Sequence, residues 1–274
     1  MNRTKTTTRG TKNNRIRPVA LLTDFGITDH YVGTMKGVIL SINPEAMIVD
    51  ISHEVAPHDV LQAGYLLWAS YRYFPPNTIF VAVVDPGVGG SRKIICVETG
   101  NWIFIAPDNG LLDVIVSQEH VRQAYEVLYS EHLISTSISS TFHGRDIFGP
   151  LAANLSLGKS IRRFGKPFNV STPRSPFYEP EAGIKVVRIL HIDRFGNLIT
   201  NIPERYFEDC IIGVGRTKIS KHIRTYTEAP PKEACLIVGS NGLIEVVAKE
   251  ASAAEMLRAG LDTQVTILSS PMSR

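Results

Sequence analysis

The first half of the chain alternates short apolar runs with longer amphipathic segments. Three runs rich in β-branched residues predict strands, over residues 19–24, 47–51 and 79–84. The segments between them have helical spacing and end near Ile42 and Tyr73. The third run has no polar face, which is typical of a strand that is covered on both sides. With right-handed crossovers, this β-α-β-α-β order predicts a doubly wound, mostly parallel α/β sheet.

Local signals refine this prediction. Asp29 and Asp59 precede the two helical segments and are predicted to cap their first turns. Residues 93–98 and 102–106 are apolar runs on either side of a Thr-Gly-Asn turn, so they predict an antiparallel hairpin. We expect this hairpin to extend the sheet of the first half.

The pattern changes after Lys166. The next fifteen residues hold four prolines and show no periodicity, which indicates a linker. Beyond it, short alternating segments predict strands over residues 184–192, 198–201, 235–238, 243–248 and 264–268. We therefore predict an N-terminal α/β domain over residues 18–165, a linker over 166–182 and a smaller C-terminal β-barrel domain over 183–270.

Charge and cysteine content bear on the cellular location and the partners of the protein. The formal net charge of +3 comes from residues 1–17, which hold six Lys or Arg and no acid. We predict a disordered, solvated tail there; the alternatives are contact with nucleic acid or an acidic surface, or a targeting role. No apolar run approaches the roughly 18–20 residues of a membrane span, and the three cysteines lie far apart. We expect a cytoplasmic protein with neither a membrane nor a nucleic acid as its partner.

One segment concentrates polar residues at the end of a predicted strand. Asp85 follows the third apolar run, and a turn with one proline and three glycines leads to Arg92. Ligands of open α/β sheets bind at the carboxyl ends of the strands, so Asp85 stands where chemistry is expected. The alternative is a turn in which Asp85 only accepts backbone N–H groups.

Known chemical motifs are mostly absent. The chain has no Gly-x-Gly-x-x-Gly that opens a helix, no Walker lysine, no His-Glu-x-x-His and no Gly-x-Ser-x-Gly. Five residues could in principle converge on a metal ion: Asp24, Asp29, His30, His53 and His143. Among these five only Asp29 and His30 are adjacent, and a helix would splay that pair apart, so we expect no metal site. An Asp, Arg and His set remains, which suits the positioning and polarisation of a water. The alternative for His143 is a helix-entry residue that bonds a carbonyl.

Five motifs occur in order along the chain. They are Leu-Thr-Asp-Phe-Gly, Asp-Pro-Gly-Val-Gly-Gly-Ser-Arg, Ala-Pro-Asp-Asn-Gly, Thr-Phe-His-Gly-Arg-Asp and Asp-Arg-Phe-Gly-Asn-Leu-Ile-Thr-Asn, which begin at residues 22, 85, 106, 141 and 193. Together they resemble the S-adenosyl-L-methionine (SAM) hydroxide adenosyltransferase family, which is related to the fluorinase and chlorinase. The resemblance covers roughly residues 17–270. It implies a two-domain α/β and β-barrel fold, a homotrimer with active sites at subunit interfaces, SAM as substrate and no cofactor.

The resemblance also implies roles for individual residues. Asp85, Arg92 and His143 match the catalytic set that activates water. Asp24 matches the acid that binds the ribose hydroxyls, and Asp193 matches the acid that binds the methionine amino group. Phe195 matches a ring in the ligand pocket, Asn197 matches the amide that binds adenine, and Ser240 matches a serine near the methionine carboxylate. Halogenating relatives have an arginine where this chain has Asn241. The groups that hold the methionine end and the adenine edge along residues 243–248 therefore stay open.

Three departures separate the chain from the halogenases. They carry Tyr, Thr and Ser where this chain has Asp85, Val88 and Gly144. A carboxylate at that position repels a halide by roughly 4 kcal/mol for unit charges about 4 Å apart at an effective dielectric of about 20. The resemblance thus implies hydrolysis of SAM to adenosine and L-methionine by attack of water on ribose C5′. The alternatives are a 5′-halogenase and a non-catalytic SAM or nucleoside sensor, and the proton acceptor is either Asp85 or His143.

Overall fold

The computed structural model describes residues 17–128, 138–171 and 175–269. The described residues form two compact units. The first unit consists of the described residues within Met1–Glu54, Tyr73–Asp108 and Val121–Asn169. The second consists of the described residues within Val55–Arg72, Asn109–His120 and Val170–Arg274. Except for Arg17, the predicted tail over residues 1–17 lies outside the described residues.

A seven-stranded sheet forms the centre of the first unit, in the order β2-β1-β3-β5-β4-β6-β7. β1 pairs in parallel with β2 and β3, and β3 pairs in parallel with β5. β4 is antiparallel to β5 and β6, and β6 is antiparallel to β7. The strands are β1 (Val19–Thr23), β2 (Ile48–Ser52), β3 (Ile79–Val83), β4 (Ile94–Glu98), β5 (Ile103–Pro107), β6 (Gln123–Val127) and β7 (Gly165–Pro167).

The predicted parallel order of the first three strands is confirmed, and so is the hairpin of β4 and β5. The sheet as a whole is less parallel than predicted. A short turn can join only antiparallel strands, so the β4–β5 hairpin reverses the direction of pairing, and the strands beyond it continue that pattern. The first unit is therefore a mixed α/β layer with one parallel and one antiparallel half.

Two helices of the first unit, α1 (Tyr31–Ile42) and α4 (Gly149–Ser156), pack against each other. A π-helical turn (Gly144–Phe148) leads into α4. The predicted cap by Asp29 is wrong, because the helix begins one residue later than expected. His30 occupies the cap position without a side-chain bond.

The second unit combines antiparallel sheets with short helices. Its sheets have the orders β12-β13-β9-β8 and β11-β10-β14, and their paired strands are antiparallel. Its strands are β8 (Ile189–Ile192), β9 (Leu198–Pro203), β10 (Ile211–Val214), β11 (Thr217–Ile219), β12 (Ala234–Val238), β13 (Leu243–Ala248) and β14 (Val265–Ser269). Four of the five predicted C-terminal strands are confirmed to within two residues, whereas the one predicted over residues 184–192 begins only at Ile189, and β10 and β11 were not predicted. Closure of these strands into a barrel stays a prediction.

The helices of this unit are α2 (Val60–Ser70), α3 (Asp113–Gln118) and α5 (Ala253–Leu257). The predicted cap by Asp59 is confirmed, since its carboxylate accepts a 2.9 Å hydrogen bond from the backbone N–H of Gln62. Helix α2 packs against α3 and β8. No helix within the described ranges combines the length and apolar character of a membrane span.

Candidate active site

Asp85, Arg92 and His143 meet just beyond the carboxyl end of β3. Arg92 Nε donates to Asp85 Oδ1 at 2.8 Å, and its Nη2 contacts Asp85 Oδ2, so the guanidinium grips both carboxylate oxygens. The same Nη2 lies 2.8 Å from His143 Nδ1. The side chains of Asp85 and Arg92 are only 5% and 10% exposed, and His143 is buried. Arginine thus joins a carboxylate and an imidazole in one buried cluster.

Two glycines allow the loop between Asp85 and Arg92 to fold back on itself. A Cβ at Gly87 would lie 3.1 Å from Arg92 Cγ, so a side chain there would press on the arginine. Gly89 has a φ of +76°, and a Cβ there would overlap the carbonyl oxygen of Ser140. The loop therefore packs its bare backbone against the segment that leads to His143.

The hydrogen bond from Arg92 fixes the tautomer of His143. A guanidinium only donates, so Nδ1 of His143 is the acceptor and the neutral ring carries its hydrogen on Nε2. Burial lowers the pKa of His143, the charge of Arg92 lowers it further, and the carboxylates of Asp85 and Asp146 oppose both effects. His143 is therefore a neutral imidazole at pH 7, with Nε2–H as a donor.

Arg92 also has a donor that the protein leaves unsatisfied. Its Nη1 is buried and finds no hydrogen-bond partner among the described residues. A buried donor without an acceptor is unfavourable, and a water or a substrate oxygen in reach would remove that penalty. Nη1 of Arg92 is thus a donor that a guest oxygen within reach could satisfy.

Asp24 leaves the neighbouring strand at the same edge of the sheet. Thr23, the residue before it, is in register with Val83 of β3, so Asp24 and Asp85 follow paired strand ends. The Thr23 hydroxyl lies 2.8 Å from His53 Nδ1 and accepts from the backbone N–H of Phe25 at 3.2 Å. These bonds fix the backbone on both sides of Asp24, which is half-buried.

A second set of predicted residues lies in the turn between β8 and β9. Asp193 Oδ1 accepts from the backbone N–H groups of Phe195 and Asn197, each at 2.9 Å, and Asn197 Nδ2 donates to Asp193 Oδ2 at 2.8 Å. All three residues line an open cavity of about 660 Å³, together with Tyr226. Phe195 is 77% exposed, so its ring is free to cover a ligand.

The remaining predicted residue, Ser240, lines a neighbouring cavity of about 560 Å³ in the same unit. Asp193 and Tyr226 border both cavities. The structure therefore gathers the predicted residues into two sets. Asp24, Asp85, Arg92 and His143 belong to the first unit, and Asp193, Phe195, Asn197 and Ser240 to the second.

Sequence reasoning missed Glu245, which lines the cavity of Ser240. Burial and the charge of Asp193 raise the pKa of Glu245 to about 7, although a hydrogen bond from Tyr226 acts in the opposite direction. The available signal was a lone acid inside an apolar strand, since the run Leu243–Ala248 is otherwise apolar. Within the described ranges, no group of three or more His, Cys, Asp and Glu residues is arranged to hold a metal ion.

The first set brings a carboxylate, a guanidinium and an imidazole together without a serine or cysteine nucleophile, a combination that is suited to positioning and polarising a small molecule. Comparison with known proteins gives the family. Residues 19–165 match the model of the SAM hydroxide adenosyltransferase N-terminal domain, and residues 187–266 match that of the C-terminal domain. The chain belongs to the SAM hydroxide adenosyltransferase family.

Three relatives place the chain within this family. It is 34% identical to an (R)-S-adenosyl-L-methionine hydrolase of Thermus thermophilus, over 88% of this chain and 96% of the relative. It is 29% identical to a fluorinase of Nocardia brasiliensis, over 75% of this chain and 77% of the relative. The crystal structure of an uncharacterized conserved protein from Thermotoga maritima superposes with a TM-score of 0.80 at 35% identity, over 91% of this chain and 99% of that one.

Proposed function

We propose that this protein is an enzyme that hydrolyses SAM to adenosine and L-methionine by direct attack of water on ribose C5′. The observation that carries the proposal is the buried cluster of Asp85, Arg92 and His143 in a chain of this family. Relatives over most of the chain are named (R)-S-adenosyl-L-methionine hydrolase, which supports the (R) sulfonium epimer as the substrate.

The reaction makes limited demands on the protein. The leaving group is a sulfonium that departs as the neutral thioether of methionine, so it needs no general acid. The site has to hold a water in line with the C5′–S bond, about 3–3.5 Å from C5′, and to exclude other solvent. The buried cluster supplies a hydrogen-bonding surface for one such water.

The tautomer of His143 supports Asp85 as the proton acceptor. With Nδ1 engaged by Arg92 and the hydrogen on Nε2, His143 orients a water by donating to it rather than by taking its proton. Asp85 is then the acceptor as the C5′–O bond forms and the water becomes acidic. Arg92 positions Asp85 through two hydrogen bonds, and its unsatisfied Nη1 is a further donor for a guest in the site.

The substrate-binding roles follow the family pattern. Asp24 binds the ribose hydroxyls, Asp193 the methionine amino group and Asn197 the adenine ring. Phe195 covers the ligand, and Ser240 lies near the methionine carboxylate. The shared border of the two second-unit cavities at Asp193 supports one ligand that extends through both, and no cofactor is needed for the displacement.

Finer features of the architecture belong to the same proposal. The family pattern supports a homotrimer with active sites at subunit interfaces, a C-terminal β-barrel and a cytoplasmic setting. The matched ranges 19–165 and 187–266 support domains over residues 18–165 and 183–270 with a linker over 166–182.

Product analysis tests the function. Purified protein is incubated separately with the (R) and (S) epimers of SAM, with and without chloride or fluoride, and the products are separated by chromatography and identified by mass. We expect adenosine and methionine in equal amounts, faster from the (R) epimer and unchanged by halide. A 5′-halogenated nucleoside would establish the halogenase instead, and binding without turnover would establish the sensor.

A further inference from the structure

Glu245 is a buried carboxylate that no cationic side chain neutralises. It lies in β13, is 8% exposed and takes part in none of the ion pairs between described residues. Its neighbours in the strand, Ile244 and Val246, point into the apolar core of the unit. A buried acid without a cation is unfavourable, so its presence calls for a reason other than stability.

The local backbone is arranged to admit this side chain. The pairing of β13 with β9 shifts in register between Leu243 and Glu245, and such irregularities commonly redirect a side chain. A Cβ at Gly239 would overlap Glu245 Oε1, so the carboxylate occupies space that only a glycine leaves open. The register shift and Gly239 together therefore allow the Glu245 carboxylate to take this position.

The surroundings of Glu245 supply a second negative charge instead of a positive one. Asp193 faces the same cavity, and its carboxylate raises the pKa of Glu245. Burial lowers the pKa of His191, another residue of the cavity, so its imidazole is neutral at pH 7 and adds no positive charge. The cavity wall thus includes two acids that influence each other electrostatically.

The rest of the cavity wall combines neutral hydrogen-bonding groups, apolar side chains and one arginine. Ser240 and Asn241 lie on its wall, and the Asn241 side chain hydrogen-bonds to the hydroxyl of Tyr65. Arg224 lines the cavity as well, and none of the ion pairs between described residues joins it to Glu245 or Asp193. A ligand whose cation reaches the two acids and whose hydrogen-bonding groups lie beside the neutral residues would suit this lining.

We propose that Glu245 and Asp193 together bind the α-ammonium group of the methionine half of the substrate, with Glu245 as the second, specificity-determining carboxylate. This inference rests on the proposed function, because it takes SAM as the ligand. An α-ammonium has three donors, which two carboxylates and one hydroxyl can satisfy together. The ligand then supplies the positive charge that the free protein lacks.

Glu245→Gln tests the inference because it keeps the shape of the side chain and removes its charge. Loss of one charge-assisted hydrogen bond corresponds to roughly a ten- to hundredfold loss of affinity. We expect KM for SAM and Kd for L-methionine, measured by calorimetry, to rise by that factor, while kcat changes less and Kd for adenosine stays within about twofold. Glu233→Gln, which changes an exposed acid that pairs with Lys221, is the matched control and should leave all four values unchanged.

A substrate analogue without the amino group sharpens the test. The analogue loses its contacts with both acids, so it should bind the wild-type protein more weakly than SAM binds Glu245→Gln. Removal of the amino group should also cost less affinity in the variant than in the wild type, because only the Asp193 contact remains to be lost there. In addition, KM of the wild type should rise as the pH falls from about 7 towards 5.5, whereas KM of the variant stays flat. The other charged and titratable groups that line the cavity with Glu245 are Asp193, Tyr226, Tyr65, His191 and Arg224.

The outcomes separate this inference from the proposed function. An unchanged KM in Glu245→Gln, with the wild type still hydrolysing SAM, would overturn the inference and leave the function intact. A parallel loss of adenosine affinity would also overturn it, because Glu245 would then act on the fold of the whole pocket. If the wild type turned over no SAM but bound L-methionine through Glu245, the function would fail and the ammonium site would stand.

Discussion

Two buried carboxylates of this protein differ in their partners. Asp85 is held on both oxygens by Arg92, whereas Glu245 has a tyrosine hydroxyl and a second acid for neighbours. A paired carboxylate keeps one geometry before any ligand arrives, which suits a group that has to place a water accurately. An unpaired carboxylate gains its counter-charge from the ligand, which suits a group that selects a cation. The two carboxylates thus illustrate two tasks, the positioning of a reactant by Asp85 and the recognition of a cation by Glu245.

Removal of the paired carboxylate should have the largest effect. In Asp85→Asn, the amide keeps its size but cannot take a proton, so we expect kcat to fall by about 10²–10⁴-fold with Kd for SAM little changed. Rapid-quench turnover and calorimetry on the same preparation measure the two quantities. A turnover near that of the wild type would show that Asp85 is not the proton acceptor and that its pairing with Arg92 does not serve catalysis.

Replacement of the arginine tests whether the paired geometry matters as well as the charge. Lysine in Arg92→Lys keeps the charge but cannot bond both Asp85 oxygens and His143 at once. We expect a loss of about 10–10² in kcat, since misplacement of a reacting group by about 1 Å has effects of that size. Full activity in this variant would mean that a positive charge beside Asp85 is enough for catalysis and that the two hydrogen bonds of the guanidinium are not needed. Arg163→Lys, outside the site, serves as the control.

The loop backbone should matter less, but measurably. Gly89→Ala places a Cβ against Ser140 at a φ of +76°, so we expect a loss of roughly 1–3 kcal/mol in the free energy of unfolding and a several-fold lower kcat. Denaturant titration and steady-state kinetics measure both effects. Gly100→Ala, where the added Cβ meets nothing within 4 Å, should differ little from the wild type. Equal behaviour of the two variants would contradict the described loop packing.

The smallest expected effect is a gain in stability from the unpaired carboxylate. The folded pKa of Glu245 is about 7, above its ordinary value of 4.5, so the folded protein holds this proton longer than the unfolded chain does. Ionisation therefore removes stability as the pH rises from about 4.5 to about 7, and the penalty is complete above that window. Glu245→Gln should be more stable than the wild type at pH 8 by on the order of 1 kcal/mol, with the advantage shrinking towards pH 4.5.

Thermal melts across that pH range measure the difference. An advantage that stays constant with pH, or a loss of stability at pH 8, would show that Glu245 is satisfied in the free protein. Together with weaker substrate binding, a stability gain would identify Glu245 as a residue kept for recognition at the expense of stability.

Sequence patterns predict the parts of the fold that depend on local signals. The apolar runs at Val19, Met47 and Ile79 gave the parallel strands, and the short turn after Glu98 gave the hairpin. The extent of antiparallel pairing beyond the hairpin depends on contacts between distant strands, which periodicity does not encode. The Asp29 cap failed because helix boundaries depend on backbone geometry to within one residue.

The candidate site divides in the same way. The glycine loop indicates that Arg92 can return to Asp85, because the spacing and the turn residues are local. The tautomer of His143 and the influence of Asp193 on Glu245 depend on contacts between residues that are distant in the sequence, so the sequence pattern does not predict them. Glu245 stands out in the sequence as a lone acid in an apolar strand, but only its neighbours in space show that it lines a cavity with a second acid.

The central claim is that a water bound at the Asp85 cluster attacks ribose C5′. The most direct test is turnover of (R)-SAM in ¹⁸O-labelled water, with the label located by tandem mass spectrometry. The account predicts one ¹⁸O in adenosine, on the 5′ carbon, and none in methionine. Unlabelled nucleoside products, such as methylthioadenosine with the label in a homoserine fragment, would contradict it, because the bond broken would then lie on the methionine side of the sulfur.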